Sequence, residues 1–281
     1  MPTTTDDIRT YYDQNTRLFL AFNRSGKADN IHRSLWTEGV TTLDDALNVT
    51  NEYIRAEIEA VVPSGARIAD LGCGVGAGLM YIVPRLKDPQ TALGLTLSPV
   101  QARLANQFFK RSQANVDIFF AEGDFTATPL ATGAFDVVYS VEAVVHAPEP
   151  ERYFAEVTRL LRDGGRLIVV DDFQAGHPLS KDEARWLEAY RTGWHVPGVT
   201  AVAQTSAWAE AHHLRLLKNA DLTPYLRLRH LPDPLARGIR SLGRLIPIRH
   251  AIIPSMLGSM ALQQCLHMGV VEYRFLVFEK G

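Results

Sequence analysis

The densest chemical signal in the chain is Ala69-Asp70-Leu71-Gly72-Cys73-Gly74-Val75-Gly76-Ala77-Gly78. A glycine-rich turn of this kind lets a ligand approach the main chain, and a helix opening after it offers unpaired N–H groups. The spacing Gly72-x-Gly74-x-x-Ala77 fits the loose dinucleotide fingerprint, so the turn alone does not select a nucleotide. A dinucleotide site also needs an acid about 20 residues on, at the end of the second strand. That strand ends Gly94-Leu95-Thr96-Leu97, with no acid, so NAD is not expected. Asp70 stands two residues before the first glycine, where a carboxylate can face an ammonium group. NAD has no such group; S-adenosylmethionine (SAM) has one. Cys73 reads as a small filler contributing backbone, not as a nucleophile.

A second cluster is Ser140-Val141-Glu142-Ala143-Val144-Val145-His146. Glu142 falls where a helix would begin, and His146 would share its face if the segment were helical. A buried carboxylate at Glu142 could stabilise a cation and take a proton, or it could simply satisfy helix amides. His146 could be a general base or a packed structural imidazole. The distinction matters because an oxygen or nitrogen acceptor wants a base at the start. An alkene carbon attacks without one, becomes a carbocation, and loses a proton afterwards. Asp171, Asp172 and His177 are metal-ligand types without a recognisable ligand set, so no metal is assigned. His32-Arg33 could hold a phosphate. Arg237, Arg240 and Arg244 share one face of an amphipathic helix, either solvated or drawing in an anionic substrate or membrane surface.

These residues need elements to position them. Residues 7–62 read mostly as helices. Strands follow at 67–71, 92–97, 116–121, 135–140 and 166–171, with helices at 79–86, 99–112 and 149–161. Ser98 is the expected cap of the second of these helices, with Pro99 at its first position. Strand and helix alternating about every 25 residues predict a parallel sheet covered on both faces. Two late strands, at 214–217 and 273–278, bring the count to seven. A mostly helical insertion, 225–268, lies between them, over the sheet edge where ligands bind in open α/β folds. Tyr11, Tyr12, Phe19, Phe22, Trp36, Phe173, Trp186, Trp194 and Tyr225 fall in segments expected to cover the pocket, most of them as core.

Composition narrows the class. The 281 residues carry 29 basic and 31 acidic side chains and are 46% apolar. At this length about 75% of the unfolded surface can be buried, so no disulfide or metal staple is needed. The near-neutral balance argues against a nucleic-acid partner. Two separated cysteines suit a reducing, cytoplasmic setting and exclude a cysteine zinc site. The first 13 residues are too polar for a signal peptide. The longest apolar stretch, 245–262, is broken by Pro247, Arg249, His250 and Pro254, so no transmembrane helix is expected.

At these motifs the chain resembles the class I SAM-dependent methyltransferases, over roughly residues 50–175 and the late strand pair. Asp70-x-Gly72-x-Gly74 matches their first motif. Thr96-Leu97-Ser98-Pro99-x-Gln101 matches a small-molecule subgroup with tocopherol, sterol and cyclopropane-fatty-acid enzymes, in which a threonine and a glutamine replace the usual ribose-binding acid. Gly123-Asp124-Phe125 matches the adenine motif, and the Ser140–His146 segment matches the stretch beside the transferred methyl. The resemblance implies an α/β, Rossmann-like, seven-stranded and mostly parallel sheet with helices on both faces. It has three parts: a helical cap (1–62), a SAM-binding core (63–180), and a lid insertion with the last two strands (181–281). It implies SAM contacts from Asp70, Gly72, Cys73, Gly74, Thr96, Leu97, Gln101, Asp124, Phe125 and Ser140. Tyr11-Tyr12-Asp13 is similar to a segment that closes over the cofactor in isoprenoid and sterol C-methyltransferases. Geranyl diphosphate C-methyltransferases carry a glutamate matching Glu142 but differ at His146.

The leading expectation is therefore C-methylation of a small hydrophobic isoprenoid, as an anionic diphosphate or otherwise, with Glu142, His146 and Tyr12 as the catalytic candidates. The alternative is O- or N-methylation of a polyketide-type or other polar metabolite. A nucleic-acid methyltransferase would need a different loop from Ser140-Val-Glu-Ala, and a non-catalytic SAM-binding module would bind the cofactor without turnover. A homo-oligomer is compatible with the sequence.

Overall fold

A computed structural model describes residues 3–22, 32–228 and 252–281. Two helices, α1 (Thr5–Phe22) and α2 (Leu43–Val61), precede the first strand. The Thr42 hydroxyl caps α2 by accepting from the Asp45 amide, and Asp44 and Asp45 favour its positive end. The alternating region then runs β1 (Arg67–Leu71), α3 (Ala77–Ile82), β2 (Thr91–Thr96), α4 (Pro99–Ser112), β3 (Phe119–Glu122), β4 (Phe135–Val141), α5 (Pro150–Leu160) and β5 (Leu161–Gln174). It is followed by α6 (Lys181–Trp194), α7 (Val202–Ala211), β6 (Leu214–Asp221), α8 (Ile252–His267) and β7 (Val271–Lys280). Ser98 caps α4 as its sequence suggests, accepting from the Gln101 amide, with Pro99 in the first turn.

The strands form one seven-stranded sheet in the order β3-β2-β1-β4-β5-β7-β6. The first five are parallel, and β7 runs antiparallel to both β5 and β6. Both faces are covered, so the central strands are mostly apolar and alternate residues feed two cores. Ile68, Val137, Ile168, Val170 and Phe275 pack into the layer that includes Ile54 and Ile58 of α2. Leu71, Val138, Val169 and Leu276 pack against Tyr153, Phe154 and Val157 of α5. Successive connections leave β1 and β4 in opposite directions along the sheet. That opens a crevice at their carboxyl ends.

Some expectations shift. The helix expected at 79–86 starts at Ala77 and ends at Ile82, giving way to a tighter 3-10 turn, Val83–Arg85. Pro84 has no N–H to continue the α ladder. The third strand begins at Phe119 rather than 116. The face of Arg237, Arg240 and Arg244 lies outside the described residues, as do the side chains of Phe19 and Phe22. Among the described residues, no helix is long and apolar enough to cross a membrane.

Candidate active site

The crevice holds a cavity of about 360 Å³, within the range of small-ligand sites. Its floor is the glycine loop. Gly72 has φ +104°, and a Cβ there would lie 2.3 Å from Ala143 Cβ, so this position must be glycine. Gly74, at φ +55°, has nothing within 4 Å of an added Cβ and exposes its main chain to the cavity. The loop is anchored by Gly72 and Cys73 amides donating to the Leu95 carbonyl at 2.8 and 2.9 Å.

Most cofactor candidates from the sequence line this cavity: Asp70, Gly72, Cys73, Gly74, Thr96, Leu97, Gln101, Asp124 and Phe125. Thr96 and Gln101 are coupled, the threonine hydroxyl donating to Gln101 Oε1 at 2.6 Å. Asp124 Oδ1 accepts from the Thr126 amide and hydroxyl at 2.8 and 2.7 Å. Ser140 departs from expectation. It is fully buried, and its hydroxyl bonds the Leu71 carbonyl and the Tyr153 hydroxyl, both at 2.7 Å. It ties β1, β4 and α5 together and is not among the lining residues.

The chemistry of Asp70 tests whether this floor fits SAM. Burial pushes its carboxyl up to about 7, and among the described residues no cation pairs with it. Around Gly78, a Cβ would find Asn51 Oδ1, Tyr139 Oη and Asp70 Oδ2 at 3.4, 3.6 and 3.7 Å. Asn51 Nδ2 donates to Asn48 and its side chain also bonds His32, so its oxygen faces the corner as an acceptor. A corner of oxygens around a buried carboxyl that has the Tyr139 hydroxyl beside it but no cation suits an ammonium group. Asn51, from α2, was not legible as a site residue, because its helix lies outside the strand–loop motifs.

The far wall holds the candidate chemistry. Glu142 and His146 do not share a helix. Glu142 takes φ +51°, and only a short 3-10 turn, Val144–His146, follows. The turn, not a shared helix, brings both into the lining of the cavity. Glu142 Oε1 accepts from the Arg33 amide and the Tyr273 hydroxyl, each at 2.9 Å. His146 Nε2 bonds the Tyr12 hydroxyl at 2.8 Å, their rings edge to face. Burial holds the His146 imidazole down to about 4, so it is neutral.

Arg33 is not available to a phosphate. Its guanidinium forks onto Asp172, with both bonds at 2.7 Å, and lies 4.6 Å from the centre of the Tyr273 ring. Asp172 also accepts from the Tyr190 hydroxyl at 2.7 Å. Asp171 accepts from the Val145 and Asp172 amides, and burial beside Asp172 pushes it up to about 7. His177 lies 3.5 Å from Glu183, away from this wall. Among the aromatic candidates, Tyr11, Tyr12 and Trp194 line the cavity. Phe173 and Trp186 are core, and Tyr225 is exposed.

A methyltransferase domain family matches residues 69–169. The O-methyltransferase rstn1 of Aspergillus nomiae is 30% identical over 193 residues, covering 68% of this chain and 82% of that protein. The sterol 24-C-methyltransferase erg6 of Schizosaccharomyces pombe is 26% identical over 223 residues, covering 78% of this chain and 56% of its own length. The first curated relatives are matched over 49 to 59% of their length. The crystal structure of the [4+2]-cyclase SpnF superposes with a TM-score of 0.75 at 20% identity, covering 100% of this chain and 97% of SpnF, a likeness of fold. With the glycine loop, the buried Asp70 carboxyl and the 3-2-1-4-5-7-6 sheet, these matches place the chain in the class I SAM-dependent methyltransferases.

Proposed function

We propose that this chain methylates a small, largely apolar and uncharged molecule, on an alkene carbon of an isoprenoid. When bound, SAM supplies a methyl group carried on a positively charged sulfur. Asp70, the glycine loop, Thr96, Gln101 and Asp124 would hold it. The observation that carries the reading is the sign of the far wall. Glu142, Asp171 and Asp172 stand there beside the Arg33 guanidinium, which Asp172 already pairs, and the other arginine lining the cavity, Arg152, lies against Glu149. Attack by an alkene leaves positive charge on the acceptor, and a negative wall stabilises it. Glu142 then takes the proton from the carbon next to the cation, and its electron pair restores a double bond. The locked Arg33 is not available to hold a diphosphate. The sterol C-methyltransferase likeness agrees with carbon as the target.

His146 supports a second reading, O-methylation. Its neutral imidazole, bonded to Tyr12, could take a proton from a hydroxyl acceptor, and rstn1 is named an O-methyltransferase.

The test incubates the chain with SAM and geraniol, farnesol, squalene, their available diphosphates and a set of phenols, reading the added CH₂ by mass spectrometry. Methylation of an uncharged isoprenoid on carbon is expected. Glu142→Gln should then lower turnover by about 10²-fold or more, the scale of lost acid–base catalysis. Methylation only of phenols, slowed by His146→Ala and not by Glu142→Gln, would transfer the chemistry to the histidine. Conversion without any CH₂ gain would point to other chemistry on the shared fold.

A further inference from the structure

Glu142 is held from behind by groups that do not belong to the glycine loop or the cofactor motifs. Tyr273 is the third residue of β7 and lies directly opposite Asp172 in the antiparallel register with β5. It is fully buried and is not among the residues lining the cavity. Its hydroxyl donates to Glu142 Oε1 at 2.9 Å, and the Arg33 amide donates to the same oxygen at 2.9 Å. Among the described residues no hydrogen bond reaches Oε2. The Arg33 amide is fixed in turn by its own side chain, forked on Asp172, which Tyr190 braces from α6. The same guanidinium stacks on the Tyr273 ring.

We propose that Tyr273, together with the Arg33 main chain, is a positioning residue for Glu142. By occupying Oε1 it fixes the carboxylate plane and leaves Oε2 as the oxygen that meets positive charge in the cavity. The inference rests on the reading of Glu142 given above. Three facts support it. Among the described residues, two donors converge on one oxygen and none on the other. Burial and the neighbouring Glu142 push the Tyr273 phenol well above its usual range, so it stays a donor. Glu142 is presented from a left-handed backbone conformation, φ +51°, which an ordinary residue holds only when its surroundings fix it.

The test needs no knowledge of the natural acceptor. Calorimetry with saturating S-adenosylhomocysteine compares two probes, N,N-dimethyldecylamine, protonated at neutral pH, and uncharged decan-1-ol. The wild-type chain should prefer the amine by at least about tenfold. Glu142→Gln should remove most of that preference. Tyr273→Phe, which loses one oxygen atom, should reduce it by roughly threefold or more while leaving decanol and S-adenosylhomocysteine affinity unchanged. The double variant should match Glu142→Gln, because a positioning residue has nothing left to position. A purely structural tyrosine would instead weaken both probes alike. If Tyr273→Phe does not fold, Tyr190→Phe, which loosens the Asp172–Arg33 fork, should shift the ratio in the same direction. A wild-type ratio in Tyr273→Phe, or a double variant falling clearly below Glu142→Gln, overturns the positioning role alone. A ratio untouched by Glu142→Gln overturns the role of Glu142 and this inference with it.

Discussion

Asp70 converts a loop motif into a measurable proton. In the free chain its carboxyl titrates near 7 rather than 3.8, because burial penalises the charged form. The folded state therefore binds a proton that the unfolded state has released. The stability from this group is full below pH 3.8 and is lost as pH rises to about 7. An ammonium group placed against the carboxylate reverses that penalty and expels the proton. SAM binding near pH 6 should release a fraction of a proton, seen as a dependence of calorimetric heat on the buffer's ionisation enthalpy. Asp70→Asn should abolish the dependence; an unchanged one would place the ammonium elsewhere. Asp70 was readable because two glycines after it fix its context. Glu142 was readable as a residue but not as a geometry. Nothing in Ser-Val-Glu-Ala announces a left-handed backbone, and the donors that hold Glu142 come from 109 and 131 residues away.

Between elements, the Arg33–Asp172 fork joins the segment before α2 to the end of β5. The sequence offered Arg33 as a phosphate ligand because a guanidinium's fork of donors suits that anion. Only the fold shows that a buried carboxylate has claimed it. Arg33→Ala would leave Asp172 charged and unpaired in the interior, a change worth about 3–5 kcal/mol. The expected result is a lower melting temperature in the absence of any ligand, whereas a phosphate-binding arginine would change substrate affinity and leave the free protein's melting unchanged. Strand and helix identities were better exposed to sequence reading. Ser98 with Pro99, and the alternation of Ile68, Val137 and Ile168 with their neighbours, are local signals. Partner identity is not local, so Tyr273, inside a uniformly β-forming run, could be assigned to a strand but not to a job.

At the scale of the whole molecule, α1 roofs the cavity through Thr5, Ile8, Tyr11 and Tyr12. It is pinned at separate points: Tyr11 to Ser255 of α8 at 2.8 Å, Tyr12 to His146, and Asp13 to the Ser98 hydroxyl. None of these bonds belongs to the sheet. Deleting residues 1–22 should leave the far-ultraviolet dichroism of the strands in place while accelerating cofactor release in stopped flow. Loss of the sheet signal on deletion would instead make α1 part of the folding core.

The sheet order carries a consequence for biosynthesis. β7 follows β6 along the chain, yet it is sixth across the sheet, wedged between β5 and β6. Its ladder with β5 runs over nine consecutive residue pairs, Arg166↔Glu279 to Gln174↔Val271. A ribosome emits β5 and β6 long before residues 271–280, so a nascent chain holds a long apolar strand edge open until β7 emerges. Such an edge is a template for pairing with another chain. A stall shortly before β7 would present an aggregation-prone edge, and pairing of those ten residues is the step that closes it.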